Sequence, residues 1–210
     1  MSVVGVTAAS AATENASQVA LFTKVNGKPV QLTDTEVAAH VLTLDAPASD
    51  SAEGPTVAPY LIDWNQWFGC FSLNNANDVS ANYMFWYDGR GQDVRLKCGE
   101  SGKWGYKHIR EGKEADWQNK LDAARAAGWQ ASALGVESWD DLMSGVTAGL
   151  ILYPDYLRKD TVNNKWCANN EFYLQDVNTG RELYSFRVEA AWASDSDRLI
   201  TSLPTSRTYC

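Results

Sequence analysis

The stretch EFYLQDVNTGRELYSFRVEAAW, residues 171–192, decides the fold class. Apolar and polar residues alternate on both sides of Asn178-Thr179-Gly180, which reads as two strands joined by a turn. Asp195 to Asp197 turns the chain again, and RLITSLPT, residues 198–205, reads as a third strand. Upstream, DVSANYMFWYDGRGQDVRLKC (78–98) is another hairpin, with its turn at Asp88-Gly89. Between the hairpins the period changes. Ile109, Trp117, Leu121 and Ala124 recur at helical spacing, giving a helix from Lys107 to Ala127 with Gly128 as its stop. A second helix runs from Ser138 through Ala148, with Ser138 as N-cap and Asp140 and Asp141 in the first turn, where carboxylates suit the helix dipole. Strands and helices are segregated, so the expected class is α+β: two helices packed on an antiparallel sheet, with strands before them and a three-strand meander after them.

The aromatic residues set the boundaries. Nine Trp, nine Tyr and six Phe are present, yet only Phe22 precedes Tyr60. Residues 60–210 are therefore the expected compact domain, of ordinary single-domain length. Residues 45–59, DAPASDSAEGPTVAP, have a linker composition. Residues 13–44 hold one hairpin candidate, VALFTKV, Asn26-Gly27, KPVQLT. Residues 1–12, MSVVGVTAASAA, resemble the end of a signal peptide, with Ala9-Ser10-Ala11 as a small-x-small cleavage pattern but no basic n-region. Asn15-Ala16-Ser17 matches a glycosylation sequon.

Export agrees with the cysteines. Cys70, Cys98, Cys167 and Cys210 have no CxxC spacing, which argues against zinc, and their even number favours two disulfides. Three pairings are possible. Cys70–Cys98, tying the strand region to the helix entrance, with Cys167–Cys210, pinning the C-terminus beside the sheet, is the favoured one.

The 210 residues carry a net charge of −8, which argues against a general nucleic-acid coat. The charge is uneven. Between Arg90 and Lys113, seven basic residues (Arg90, Arg95, Lys97, Lys103, Lys107, Arg110, Lys113) face three acids (Asp93, Glu100, Glu111), an excess of four. Such an island suits one small phosphate site, or a solvated helix face laced with i,i+4 pairs. His108 stands within it and is the default acid/base candidate, while His40 lies in the weakly patterned N-terminal part. No Walker A, GxGxxG, HExxH or GxSxG motif is present, no run of 18 apolar residues would span a membrane, and no cofactor or metal is expected.

Four segments in order carry a resemblance: KWGYKHIREGKEADWQ (103–118), SWDDLM (138–143), the hairpin, and DRLITSLPT (197–205). Over about residues 80–210 the chain resembles small secreted bacterial proteins with a toxin-like C-terminal domain, of the barnase–EndoU–RelE class of metal-independent ribonucleases. The resemblance implies RNA cleavage by transesterification, in which the 2′-OH attacks phosphorus and side chains move protons and stabilise charge. It would make His108 the proton-transfer group and Lys113 the cation for the transition state, with Glu111 or Glu114 as partner base. Arg110, Arg198, Thr201 and Ser202 would hold phosphate oxygens, and Tyr106 or Trp104 would stack on a base. It also implies RNA as partner and an acidic immunity protein. One departure matters. Relatives commonly carry a second His where Lys113 stands, and Arg where Gly112 stands, and Lys does not shuttle protons at neutral pH without a depressed pKa. On strand periodicity Thr201 and Ser202 cannot both face one cleft, and Thr201 is the better choice unless a bulge intervenes.

The alternative is a non-catalytic secreted module for cell-wall glycan or a partner protein. Most tryptophans at this spread are expected in the core. Tyr60, Trp64, Trp67 and Phe68, in YLIDWNQWFGCF, are the candidates for an exposed binding face.

Overall fold

The computed structural model describes residues 18–32 and 61–210. The signal-peptide segment, the sequon, His40, the 45–59 linker and Tyr60 lie outside the described residues.

The fold is α+β, with antiparallel sheets and three α-helices among the described residues. A hairpin comes first: β1 (Val19–Val25) and β2 (Lys28–Gln31), joined through Asn26 and Gly27. Both turn residues have positive φ (52° and 77°), the geometry that Asn-Gly adopts without strain. A short α1 (Trp64–Trp67) runs into a π-helical turn, Phe68–Ser72. Then come β3 (Val79–Tyr87) and β4 (Arg90–Lys97), α2 (Gly105–Ala126), a 3-10 turn and α3 (Trp139–Leu152). Four strands follow: β5 (Tyr156–Asp160), β6 (Lys165–Asp176), β7 (Glu182–Ala193) and β8 (Leu199–Thr205). β5 was not legible as a strand, because YLRKD has no clean alternation.

The main sheet runs β2-β1-β6-β7-β8, with β5 also paired to β6. β6 is its centre. One edge of β6 pairs with β5 over Lys165–Asn169 and with β1 over Phe172–Asp176, and the other edge pairs with β7 throughout. The N-terminal hairpin is thus part of the main sheet. β3 and β4 form a separate two-stranded sheet.

Alternation on β6 and β7 sorts the two faces. Trp166, Ala168, Phe172 and Leu174, with Phe186, Val188, Ala190 and Trp192, point into the core. α3 covers them and is buried nearly all round, with Leu142, Met143, Val146, Leu150 and Ile151 inside. Gly149 lets it come close, since a Cβ there would meet Leu32 at 3.0 Å and Phe172 at 3.3 Å. α2 contributes its apolar stripe, including the fully buried Trp117 and Leu121. Gly128, at φ +96°, follows the C-cap Ala127, as a helix stop requires. Ser138 caps α3, with the Asp141 carboxylate accepting its backbone N–H (2.9 Å). The other oxygen of Asp141 accepts the N–H of Leu61 (2.6 Å), which ties the entry to α1 onto α3.

Two disulfides close the structure, Cys70–Cys98 and Cys167–Cys210. The first joins the π turn to the end of β4. The second fixes the C-terminus to the face of β6 opposite the helices. No helix among the described residues is long and apolar enough to cross a membrane.

Candidate functional site

The residues singled out on α2 do not converge. His108 is half-buried, and its ring makes no hydrogen bond to a described residue. Lys113 lies five residues on, so the two side chains leave the helix about 140° apart. Lys113 instead sits 3.7 Å from Asp116, and Arg110 donates to Glu114 at 3.2 Å. Glu111 accepts the hydroxyl of Ser101. Tyr106 is buried: its hydroxyl donates to Asp140 at 2.9 Å and its ring stacks on Trp139. Burial, with the Asp140 charge beside it, pushes the phenol well above its ordinary value. Tyr106 is a core residue, not a base-stacking platform.

β8 carries the other candidates, and a bulge sorts them. Leu199 pairs with Trp192 but Thr201 pairs with Ala191, leaving Ile200 as the extra residue. Leu199 and Ser202 are therefore both buried, which simple alternation forbids. Ser202 faces the helices. Its hydroxyl shares a 2.8 Å hydrogen bond with Thr147, and its carbonyl accepts the indole N–H of Trp117 at 3.1 Å. It is sealed from solvent and holds no phosphate. Thr201 follows Ala191 onto the opposite face of the sheet, away from α2.

Three carboxylates from outside its own window reduce the charge of the basic island. Asp197, about 100 residues away, accepts Lys97 at 2.7 Å and Arg95 at 3.1 Å. Asp93 takes the other terminal nitrogen of Arg95, and Glu100 takes Lys103 at 2.7 Å. With Glu114 and Asp116 added, five of the seven cations are in ion pairs. Lys107 donates to Asn74 and lies with Arg110 over the Phe71 ring. Only Arg110–Glu114 is an i,i+4 helix pair; Arg95 and Lys97 lie on β4 and are tied to the β7–β8 turn. Arg198 lies against the indole of Trp104, 5.2 Å from the ring centre, away from the other candidates.

The aromatic candidates do assemble. Asp63 and Gln66 form a reciprocal capping box that holds α1, so Trp64 and Trp67 share one helix face. Their rings stack at 5.4 Å with an interplanar angle of 12°. Trp67 leans on Phe71, and Phe71 meets the edge of Tyr106. The stack is thus footed on the core and braced by Cys70–Cys98. Its top is open: Trp64 is 72% exposed, with Trp67, Phe68 and Leu73 also at the surface. Trp117, Trp129, Trp139, Trp166 and Trp192 are buried. Tryptophan count alone could not separate these two sets; the i,i+3 spacing in WNQW was the available signal.

Among the described residues, Cys167, Glu189 and Cys210 are the only group close enough to hold a metal, and their sulfurs are bonded to each other. Comparison with protein-family models, with curated proteins and with solved structures finds no match to this chain.

Proposed function

We propose that this chain is an exported binding module that takes a polysaccharide against the Trp64–Trp67 stack. The carrying observation is the open outer face of Trp64, on a ring pair fixed from below by Trp67, Phe71 and a disulfide. A rigid, solvent-facing indole costs hydrophobic surface without serving the core, so it marks a contact. Sugar rings offer the flat C–H faces that such a platform fits. The platform is a few side chains wide, well short of the ~20 residues per side in a stable protein interface. The two disulfides support an oxidising compartment, hence secretion. The test is co-sedimentation with insoluble cell-wall polysaccharide. Saturable binding lost in Trp64→Ala and kept in His108→Ala supports the reading; binding unchanged in Trp64→Ala refutes it.

A second reading, the metal-independent ribonuclease, has one observation in its favour: His108 is half-buried and has neither ring nitrogen engaged by a described residue. Two helices against an antiparallel sheet that ends in β6-β7-β8 suit the toxin-like class. In this reading His108 transfers the proton and Lys113, released from Asp116, stabilises charge. An immunity partner belongs to this reading alone. RNA cleavage in EDTA, abolished in His108→Ala, is its expected result; intact RNA across pH 5–8 ends it.

A further inference from the structure

A cleft of about 320 Å³ opens where three connections meet: the loop before α2, the β5–β6 turn and the β7–β8 turn. Lys103, Trp104, Asn163, Asn164, Asp195 and Arg198 line it. Its frame is tied by backbone bonds, Ser194 N–H to the Asn164 carbonyl and Ala193 N–H to the Arg198 carbonyl, both 2.9 Å. None of its residues belongs to the Trp64–Trp67 stack.

The polar groups divide into spent and unspent. The Arg198 guanidinium is held at two points, its Nε donating to Ser196 Oγ at 3.2 Å and its plane resting on the Trp104 indole. Its two terminal nitrogens make no hydrogen bond to a described residue, and the Glu100 carboxylate is near enough to feel the Arg198 charge. The nitrogens present a pre-positioned fork, the shape that matches the two oxygens of a carboxylate. Asn163 spends its amide nitrogen on Asp160, at 2.7 Å. Asn164, in the left-handed region at φ 50°, and Asp195 have no side-chain bond to a described residue. Lys103 is engaged by Glu100 alone. The unspent set is therefore one guanidinium fork, one carboxamide and one carboxylate, beside an aromatic wall.

We propose that this cleft binds a hydroxylated monocarboxylate of the uronic-acid type. The ligand carboxylate takes the Arg198 fork, its hydroxyls donate to Asp195 and exchange hydrogen bonds with the Asn164 amide, and its ring lies along Trp104. The charges decide between anions. Asp195 in the lining and Glu100 on Lys103 oppose a dianionic phosphate or a polyanionic strand, whereas a single carboxylate answers Arg198 and leaves Asp195 for a hydroxyl. This site does not rest on the polysaccharide reading of Trp64, and a Trp64→Ala variant keeps it.

The test is a titration of the full chain with D-glucuronate, D-glucose and inorganic phosphate. It is followed by the NMR shift of the Trp104 indole N–H and by calorimetry. The expected result is saturable millimolar binding of glucuronate, weaker phosphate binding and none of glucose. Arg198→Lys keeps the charge but loses the fork, and should weaken glucuronate binding about tenfold or more. Asn164→Gly keeps the left-handed backbone and removes the amide, so it should weaken binding severalfold in a folded protein. Glucose binding as tight as glucuronate, phosphate binding tighter, or glucuronate affinity indifferent to both variants would overturn the proposal. So would the absence of any saturable shift.

Discussion

Replacing Asp197 with Asn isolates one of the contacts that join the two sheets. The Asp197 carboxylate accepts Lys97 at 2.7 Å and Arg95 at 3.1 Å, and its carbonyl accepts the backbone N–H of Arg95 at 2.5 Å. The Lys97 side chain is 15% exposed and that of Asp197 27%. Charge-assisted bonds contribute ~1.5–3 kcal/mol each, but partial exposure screens these and Asn keeps one neutral bond. A loss of about 1–2 kcal/mol is expected, or about 3–6 °C in Tm for a domain of this size. Burial alone would raise the Asp197 carboxyl. The hydrogen bond from Lys97 and the charges of Lys97 and Arg95 outweigh it and hold the group below the usual carboxylate range. Its contribution is then full above the unfolded value of about 4 and is lost as pH falls through the depressed folded value. Denaturant unfolding of wild type and Asp197→Asn from neutral to acid pH measures this. The gap between them should be widest at neutral pH and shrink on acidification. A variant as stable as wild type at neutral pH, or a gap that persists undiminished in acid, refutes the reasoning. The variant should also bind anions more tightly, since it frees Lys97 and leaves Arg95 paired with Asp93 alone.

Glu189 gives the opposite sign. Burial raises its carboxyl despite the opposing charges of Arg207 and Lys165, so its contribution is present below the ordinary carboxylate range and lost as pH rises through the raised value. Glu189→Gln should flatten that slope and be no less stable at neutral pH, as thermal melts across pH 4–8 would show. Replacing both Cys167 and Cys210 with Ser opens a bridge between residues 43 apart and should cost up to about 4 kcal/mol in denaturant unfolding. Tyr106→Phe removes the buried bond to Asp140 and should cost about 1–2 kcal/mol, with no change in polysaccharide binding.

Legibility in the sequence followed the range of the interaction. Turns set by one or two residues, at Asn26-Gly27 and Asp88-Gly89, were readable because their backbone angles suit few residues. The Trp117 and Leu121 stripe and the Ser138 cap were readable because a helix repeats its environment each turn. Both disulfides match the favoured pairing. What was not readable depends on partners far along the chain. The island's excess of four falls to one when Glu114, Asp116 and Asp197 are counted, and Asp197 arrives from about 100 residues away. The bulge at Ile200 puts Leu199 on the same buried face as Ser202, and nothing local announces it. Tyr106, polar enough for a site, went inward because Asp140 on α3 satisfies its hydroxyl.

The pairing of β1 with β6 bears on how the chain is made. Thr23 Oγ1 donates to the carbonyl of Glu171 across 148 residues, and Leu21 and Leu32 gain their cover only from elements that follow much later. During synthesis the first hairpin must wait, with its apolar side bare, until β6 leaves the ribosome. A chain so built is slow to close on itself. In the export reading proposed above, that delay would keep the chain threadable until it has crossed the membrane, with the sheet completed and the two disulfides formed afterwards.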